Sequence, residues 1–169
     1  MTKVIVAMAF LVLLVIAARV FELFVRNRKP RFEYRRKDCV MTNAERECYH
    51  ALVSEMGPDY YFFPQMHLDA IVQPTDARKD RFYAFRHINQ KPVDFVACDK
   101  KQLRPLFAIE LDDKTHNQPK RMARDREVER ILRGAGIALI RIENRGRFDP
   151  KELASRVQKG IDDFRTTPT

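Results

Sequence analysis

Apolar residues run without a charge from Val4 to Ala18, and the run extends through Arg19 and Glu22 to Val25. As a helix the strict run spans about 22 Å and the extended one about 33 Å, against about 30 Å of bilayer hydrocarbon. The pattern predicts a membrane-spanning helix over residues 4–25. Arg19 and Glu22 fall near one end, where long side chains reach the headgroups, and as i,i+3 neighbours they can pair. The competing reading is a cleaved signal peptide, with its apolar region at Val4–Ile16 and small residues at Ala17 and Ala18. The flanking charges favour the anchor. Lys3 stands before the run, and Arg26, Arg28, Lys29, Arg31, Arg35, Arg36 and Lys37 follow it. Such a block resists translocation and places the C-terminal side in the cytoplasm. Residues 26–38 then read as a basic juxtamembrane tether, broken at Pro30, that sets topology and touches anionic lipid. A sharper alternative is an arm that gathers nucleic acid.

From Cys39 onward the pattern is that of one folded domain over residues 39–169. Thr42 and Glu45 form a capping box that opens a helix to about Met56, with Ala44, Cys48, Leu52 and Met56 as its apolar stripe. Gly57-Pro58 ends it. Tyr60–Phe63 reads as a short aromatic strand closed by Pro64. His67–Val72 reads as a short helix, Pro74–Arg81 as a polar loop, and Phe82, Tyr83 and Phe85 as an aromatic cluster. Val93–Cys98 and Leu106–Asp112 form a hairpin about the turn Asp99–Pro105. After a loop at Lys114–Asn117, Pro119 suits the first position of a helix reaching about Arg133, ended by Gly134-Ala135-Gly136. Ile137–Ile142 is β-branched and apolar, which predicts a strand buried on both faces. Pro150 opens a last helix with Leu153, Val157, Ile161 and Phe164 on one side. The order of elements predicts an α/β fold with a mixed sheet.

Composition fits a folded chain. The 169 residues are 45% hydrophobic and 33% charged, which excludes wholesale disorder. Cys39, Cys48 and Cys98 make an odd, scattered set with no CxxC, so reduced thiols in a cytosolic domain are expected. The net charge of +9 first suggests an anionic partner. Its distribution changes that picture. Residues 1–25 carry +1, residues 26–38 carry +5, and residues 39–169 carry only +3. Most of the excess base belongs to the tether, and the domain's charge does not identify its partner.

Three carboxylates at the hairpin carry the candidate chemistry. Asp94 lies in K-P-V-D-F-V; Glu110 and Asp112 lie in A-I-E-L-D-D. Strand side chains alternate, so Glu110 and Asp112 share a face, and a short turn brings Asp94 toward Glu110. Gathered carboxylates repel one another unless a cation joins them. Two or three of them with waters suit Mg²⁺, and a metal so held activates water for phosphodiester cleavage. The plain alternative is a set of solvated acids at a strand end.

The ordered set of elements and the D…ExD spacing resemble the restriction-endonuclease-like PD-(D/E)XK superfamily. More narrowly, K-P-V-D-F-V-A-C-D followed by A-I-E-L-D-D-K-T-H looks like an uncharacterised bacterial family within it, itself similar to the very short patch repair endonuclease. T-N-A-E-R-E, F-P-Q, R-D at Arg124–Asp125 and A-G-I-A-L-I-R-I extend the likeness over about residues 42–142. The resemblance implies an αβββαβ core behind one transmembrane helix, and Mg²⁺ or Mn²⁺ as cofactor. Asp94 matches the metal-binding Asp, and Glu110 the Glu of E-x-K. Asp112 stands where the superfamily usually has Lys; it cannot orient the attacking water as an ammonium does, but it can ligate a metal. The missing cation is then expected from Lys114 or from Lys120, Arg121 and Arg124 of the following helix. Helical geometry puts Arg121, Arg124 and Asp125 on the side of Val128, Ile131 and Leu132, pointing inward. Arg126, Arg130 and Arg133 fall on the opposite, solvated side with Glu127 and Glu129. Glu45 matches a helical Glu that some members bring to the site, beside its capping role. Gln65 matches a position at the site's edge. His116 is a candidate general base or phosphate contact.

The expected function is therefore a membrane-anchored, cytoplasm-facing nuclease acting on nucleic acid. The alternatives are a catalytically inactive module of the same fold that binds nucleic acid or a protein partner at the membrane, which the missing lysine motivates, and an exported protein.

Overall fold

An uninterrupted apolar run leaves a helix no polar side, and in the computed structural model Thr2–Arg26 forms one helix, α1. The structure describes residues 1–26, 32–75, 85–86, 88–89, 91–112 and 119–167, with the side chains of 24–26 and 119–122 outside that set. The chain divides into two units, Met1–Asp38 and Cys39–Thr169. In the first, the segment Thr2–Leu23 is long and apolar enough to cross a membrane. Its large apolar side chains, from Val4 to Leu23, are all exposed, as expected of a helix whose solvent is hydrocarbon. Arg19 and Glu22 pair at 3.3 Å, as their spacing predicts.

The second unit is a mixed α/β fold. Helix α2 is Asn43–Met56, strand β1 Tyr60–His67, strand β2 Pro92–Asp99 and strand β3 Pro105–Asp112. Helix α3 is Pro119–Gly134, strand β4 Ala138–Glu143 and helix α4 Pro150–Thr166. The sheet order is β1-β2-β3-β4. The first two junctions are antiparallel and β3–β4 is parallel, which requires the crossover that α3 supplies. The capping box at α2 is complete: Glu45 N donates to Thr42 Oγ1, and Thr42 N donates to Glu45 Oε2 at 2.6 Å. Asp149 caps α4 by accepting from Glu152 N, with Pro150 in the first turn. Asp99 holds the β2–β3 turn, since its carboxylate accepts from the backbone N–H of Lys101, Gln102 and Arg104. The Gln102 and Arg104 bonds also hold its pKa below the usual carboxylate range.

Alternation along the strands sends side chains into two cores. On one face Phe95, Phe107, Ile109, Ile140 and Ile142 pack with Cys48 and Leu52 of α2 and with Leu153, Val157 and Ile161 of α4. On the other, Val96 and Ala108 pack with Val128 and Leu132 of α3, joined by Leu68 and Ile88. Helix α4 lies very close to β4. A Cβ at Gly160 would sit 3.0 Å from Ile140 Cγ1, so a larger residue there would have to push the Ile140 side chain aside.

Two expectations about the strands change. β1 does not close at Pro64 but continues to His67. It is an outer strand, where a proline's missing N–H deprives no neighbour of a ladder bond. β4 is also an outer strand and is not buried on both faces. Ala138, Ile140 and Ile142 are buried, while Leu139, Arg141 and Glu143 between them are only partly so. The expected short helix after β1 is a 3₁₀ turn at Leu68–Ala70. Phe82 and Tyr83 lie outside the described residues, and Phe85 is exposed.

Candidate functional site

The strand register gathers the charged residues on the α3 side of the sheet. Phe95 pairs with Ile109, and one further step along both strands sets Asp94 beside Glu110. Glu110 is itself paired with Arg141 across the parallel junction, and Asp112 with Glu143. Asp94 shares the parity of Val96, Glu110 that of Ala108, and Arg141 that of Leu139, all of which face α3. A row Asp94–Glu110–Arg141 thus crosses three neighbouring strands, with Asp112 two residues beyond Glu110.

Each member is held by a specific bond. Asp94 Oδ2 accepts from the backbone N–H of Leu111 at 2.8 Å, which ties β2 to β3 beyond their last paired residues. Arg141 Nη1 donates to Glu110 Oε2 at 3.0 Å and to Asp112 Oδ1 at 3.3 Å. Arg141 Nη2 donates to the backbone carbonyl of Asp125 in α3 at 3.4 Å. One guanidinium therefore joins β3, β4 and α3. The planar fork suits this task, since it presents several donors in fixed directions.

The electrostatics centre on Glu110, whose side chain is 16% exposed. Burial pushes its carboxyl up to about 7. Arg141 opposes that rise, while the negative charges of Asp94, Asp125 and Asp112 add to it. Glu110 is thus poised to exchange a proton near neutrality, as a group in acid–base chemistry requires. Cys48, buried under the sheet, moves the same way: burial, then the charge of Asp94, raises its thiol to about 12.

Glu45 fulfils its expected capping role and makes one further contact. One carboxylate oxygen closes the capping box, and the other accepts from Gln65 Nε2 at 2.7 Å. Gln65 lies between Pro64 and Met66, whose partners Phe95 and Val93 flank Asp94, so it stands at the register position opposite Asp94. Its φ of 53° is in the left-handed region, a conformation rare for a residue with a Cβ. Gln65 therefore joins Glu45 of α2 to the β1 position beside Asp94.

The expected sources of a cation fare differently. Arg124 is exposed rather than turned inward. The buried stripe of α3 passes through Val128 and Leu132, with Asp125 partly buried a turn before it, and Arg124 lies one position off that line. Arg121 is in α3 with its side chain outside the described residues, as is that of Lys120, and Lys114 and His116 lie outside the described residues altogether. Arg130 pairs with Glu127 and is exposed, as expected, while Arg133 pairs with Glu129 and is only partly exposed. The cation between the carboxylates is Arg141, which sequence reasoning missed. The signal was present: the alternation A-L-I-R-I-E places Arg141 and Glu143 on one face of a strand.

The donor set is oxygen-only, the chemistry Mg²⁺ and Mn²⁺ prefer. Among the described residues no group of three or more His, Cys, Asp or Glu is placed to hold a metal ion. Asp112 is turned to Arg141 and half exposed, and the remaining carboxylates, Asp94 and Glu110, are neighbours in register. Mg²⁺ is commonly held by one or two carboxylates with water and substrate phosphate completing its shell.

No curated protein and no solved structure matches the chain. A family match spans residues 37–160, from the end of the tether into α4, and so includes every residue of the row. The chain belongs to this family, described as Protein of unknown function (DUF2726).

Proposed function

We propose that the protein is a membrane-anchored hydrolase of nucleic-acid phosphodiesters, with a restriction-endonuclease-like core facing the cytoplasm. The observation that carries this reading is the aligned row Asp94–Glu110–Arg141, with a carboxyl near neutral pKa at its centre. Asp94 and Glu110 would hold Mg²⁺ or Mn²⁺. Such an ion lowers the pKa of bound water and stabilises charge on a leaving oxygen. Arg141 keeps Glu110 oriented and offsets the charge of Glu110 and Asp112, the part the resemblance gives to a lysine. Gln65 of β1, held by Glu45 of α2, would flank the row beside Asp94. A second reading, an inactive module binding nucleic acid, has one observation in its favour: Asp112 stands in the lysine position and is occupied by Arg141.

The full chain in neutral detergent, given Mg²⁺ or Mn²⁺, should cleave labelled DNA or RNA, and Asp94→Asn should reduce the rate by at least about a hundredfold. Equal cleavage by both proteins would identify a contaminant and remove the proposal. Binding without cleavage would select the inactive module.

Topology has its own test. Cys48 and Cys98 are buried and Cys39 is exposed, so Cys39 is the thiol open to reagent. In intact cells a membrane-impermeant maleimide should label Cys39 only after the membrane is permeabilised. Labelling of intact cells from outside would place the domain across the membrane and support export.

A further inference from the structure

The open edge of β4 carries a second charged feature. A groove of about 450 Å³ runs along that edge between α3 and α4. Its cations are Arg133 of α3, Arg141 of β4, and Arg156 and Lys159 of α4, against two acids, Glu129 and Asp163. Arg133 is paired with Glu129 at 3.8 Å, and its guanidinium lies 5.4 Å above the Phe164 ring. Arg141 is engaged with Glu110 and Asp112. Among the described residues Arg156 and Lys159 are in no ion pair. They stand three residues apart in α4 and so project from one side of it into the same groove. Asp163 is the acid beside them, and four cations against two acids still leave the lining of the concavity with excess positive charge, which raises the local concentration of an anion.

We infer that this groove binds the sugar–phosphate backbone of a single nucleic-acid strand, with Arg156 and Lys159 as the phosphate contacts. Three observations select that occupant. A cleft of this volume accommodates a ligand of small-molecule size, hence part of one strand rather than a duplex. The cations lie inside a concavity, which a planar lipid surface does not enter. Arg141 lines the groove and also grips Glu110, so a strand lying there leads to the carboxylate row. The choice of nucleic acid over other polyanions rests on the phosphodiester reading above.

The test uses the full chain in neutral detergent with a chelator present, so that binding is read without cleavage. Fluorescence anisotropy with a short labelled single strand should show at least about tenfold weaker binding for Arg156→Glu/Lys159→Glu, and a log–log salt slope shallower by about 1.4. Arg156→Gln/Lys159→Gln, which introduces no new repulsion, should lie between the two. Lys101→Glu, on the β2–β3 turn, should bind as the parent does. Equal binding by the parent and both double variants would overturn the groove assignment, as would a parent that binds anionic vesicles but no oligonucleotide. Adding Mg²⁺ afterwards separates the two proposals. Groove-dependent binding without cutting leaves the groove and removes the hydrolase reading; cutting with binding unaffected by the double variants does the reverse.

Discussion

Replacing Glu110 by glutamine should abolish metal-dependent cleavage and flatten the dependence of stability on pH. The second effect follows from the site whatever its substrate. The carboxyl ionises at about 7 in the folded protein, against an ordinary 4.5. Between those values the unfolded chain has lost the proton and the folded chain retains it. Stability therefore falls as pH rises through that window and is level above it. At 1.36 kcal/mol per unit the change is on the order of 3 kcal/mol. Glutamine has the shape of the protonated acid and no titration, so denaturation curves of Glu110→Gln should show no such fall. If the variant keeps the parental slope between pH 5 and pH 8, the titrating group is another residue. For cleavage, a loss of at least about a hundredfold is expected at saturating Mg²⁺.

Arg141→Met should be the most destabilising single change in the row, and more so at pH 8 than at pH 5. Methionine retains the length of the side chain and removes the donors to Glu110, Asp112 and the Asp125 carbonyl. Removing one partner of a buried pair leaves the other charge stranded. The Arg141 side chain is 30% exposed, so water screens part of the loss, and about 2 kcal/mol is expected at pH 8. At pH 5 Glu110 carries a proton and has less charge to strand, so the cost should be smaller. Adding Glu110→Gln should recover much of the loss, and a double-mutant cycle by urea denaturation reads the coupling directly. Arg141→Lys should recover less, since an ammonium cannot reproduce the fork. Additive single effects would show that Arg141 and Glu110 do not act as a pair.

Local signals in the sequence carried most of the architecture. The Thr42–Glu45 box, Pro119 and Pro150 at helix starts, and the 3.6-residue stripes of α2 and α4 each depend on neighbours a few positions away. Asp94, Glu110 and Asp112 were legible because alternation and a short turn suffice to align them. Arg141 was not, because its importance depends on which strand lies beside β3, a fact settled by the crossover through α3. Reading Ile137–Ile142 as buried on both faces followed from its apolar composition, which does not reveal whether a strand is central or outer. Pro64 was misjudged for the same reason. Arg124 illustrates a different limit: one position around a helix turns a residue by 100°, enough to move it from the core side to water.

Pro64 has a consequence for colonies of this protein rather than for one molecule. An outer strand is a template on which a second sheet can grow, and overexpressed chains meet often enough to try. Midway along β1, Pro64 offers no donor, and Gln65 immediately after it bends the backbone out of the extended form. An incoming strand would find no donor at Pro64 and a backbone that leaves the extended form at Gln65. β1 is thereby guarded against sheet-to-sheet fusion by its backbone alone, without a charge placed on that edge.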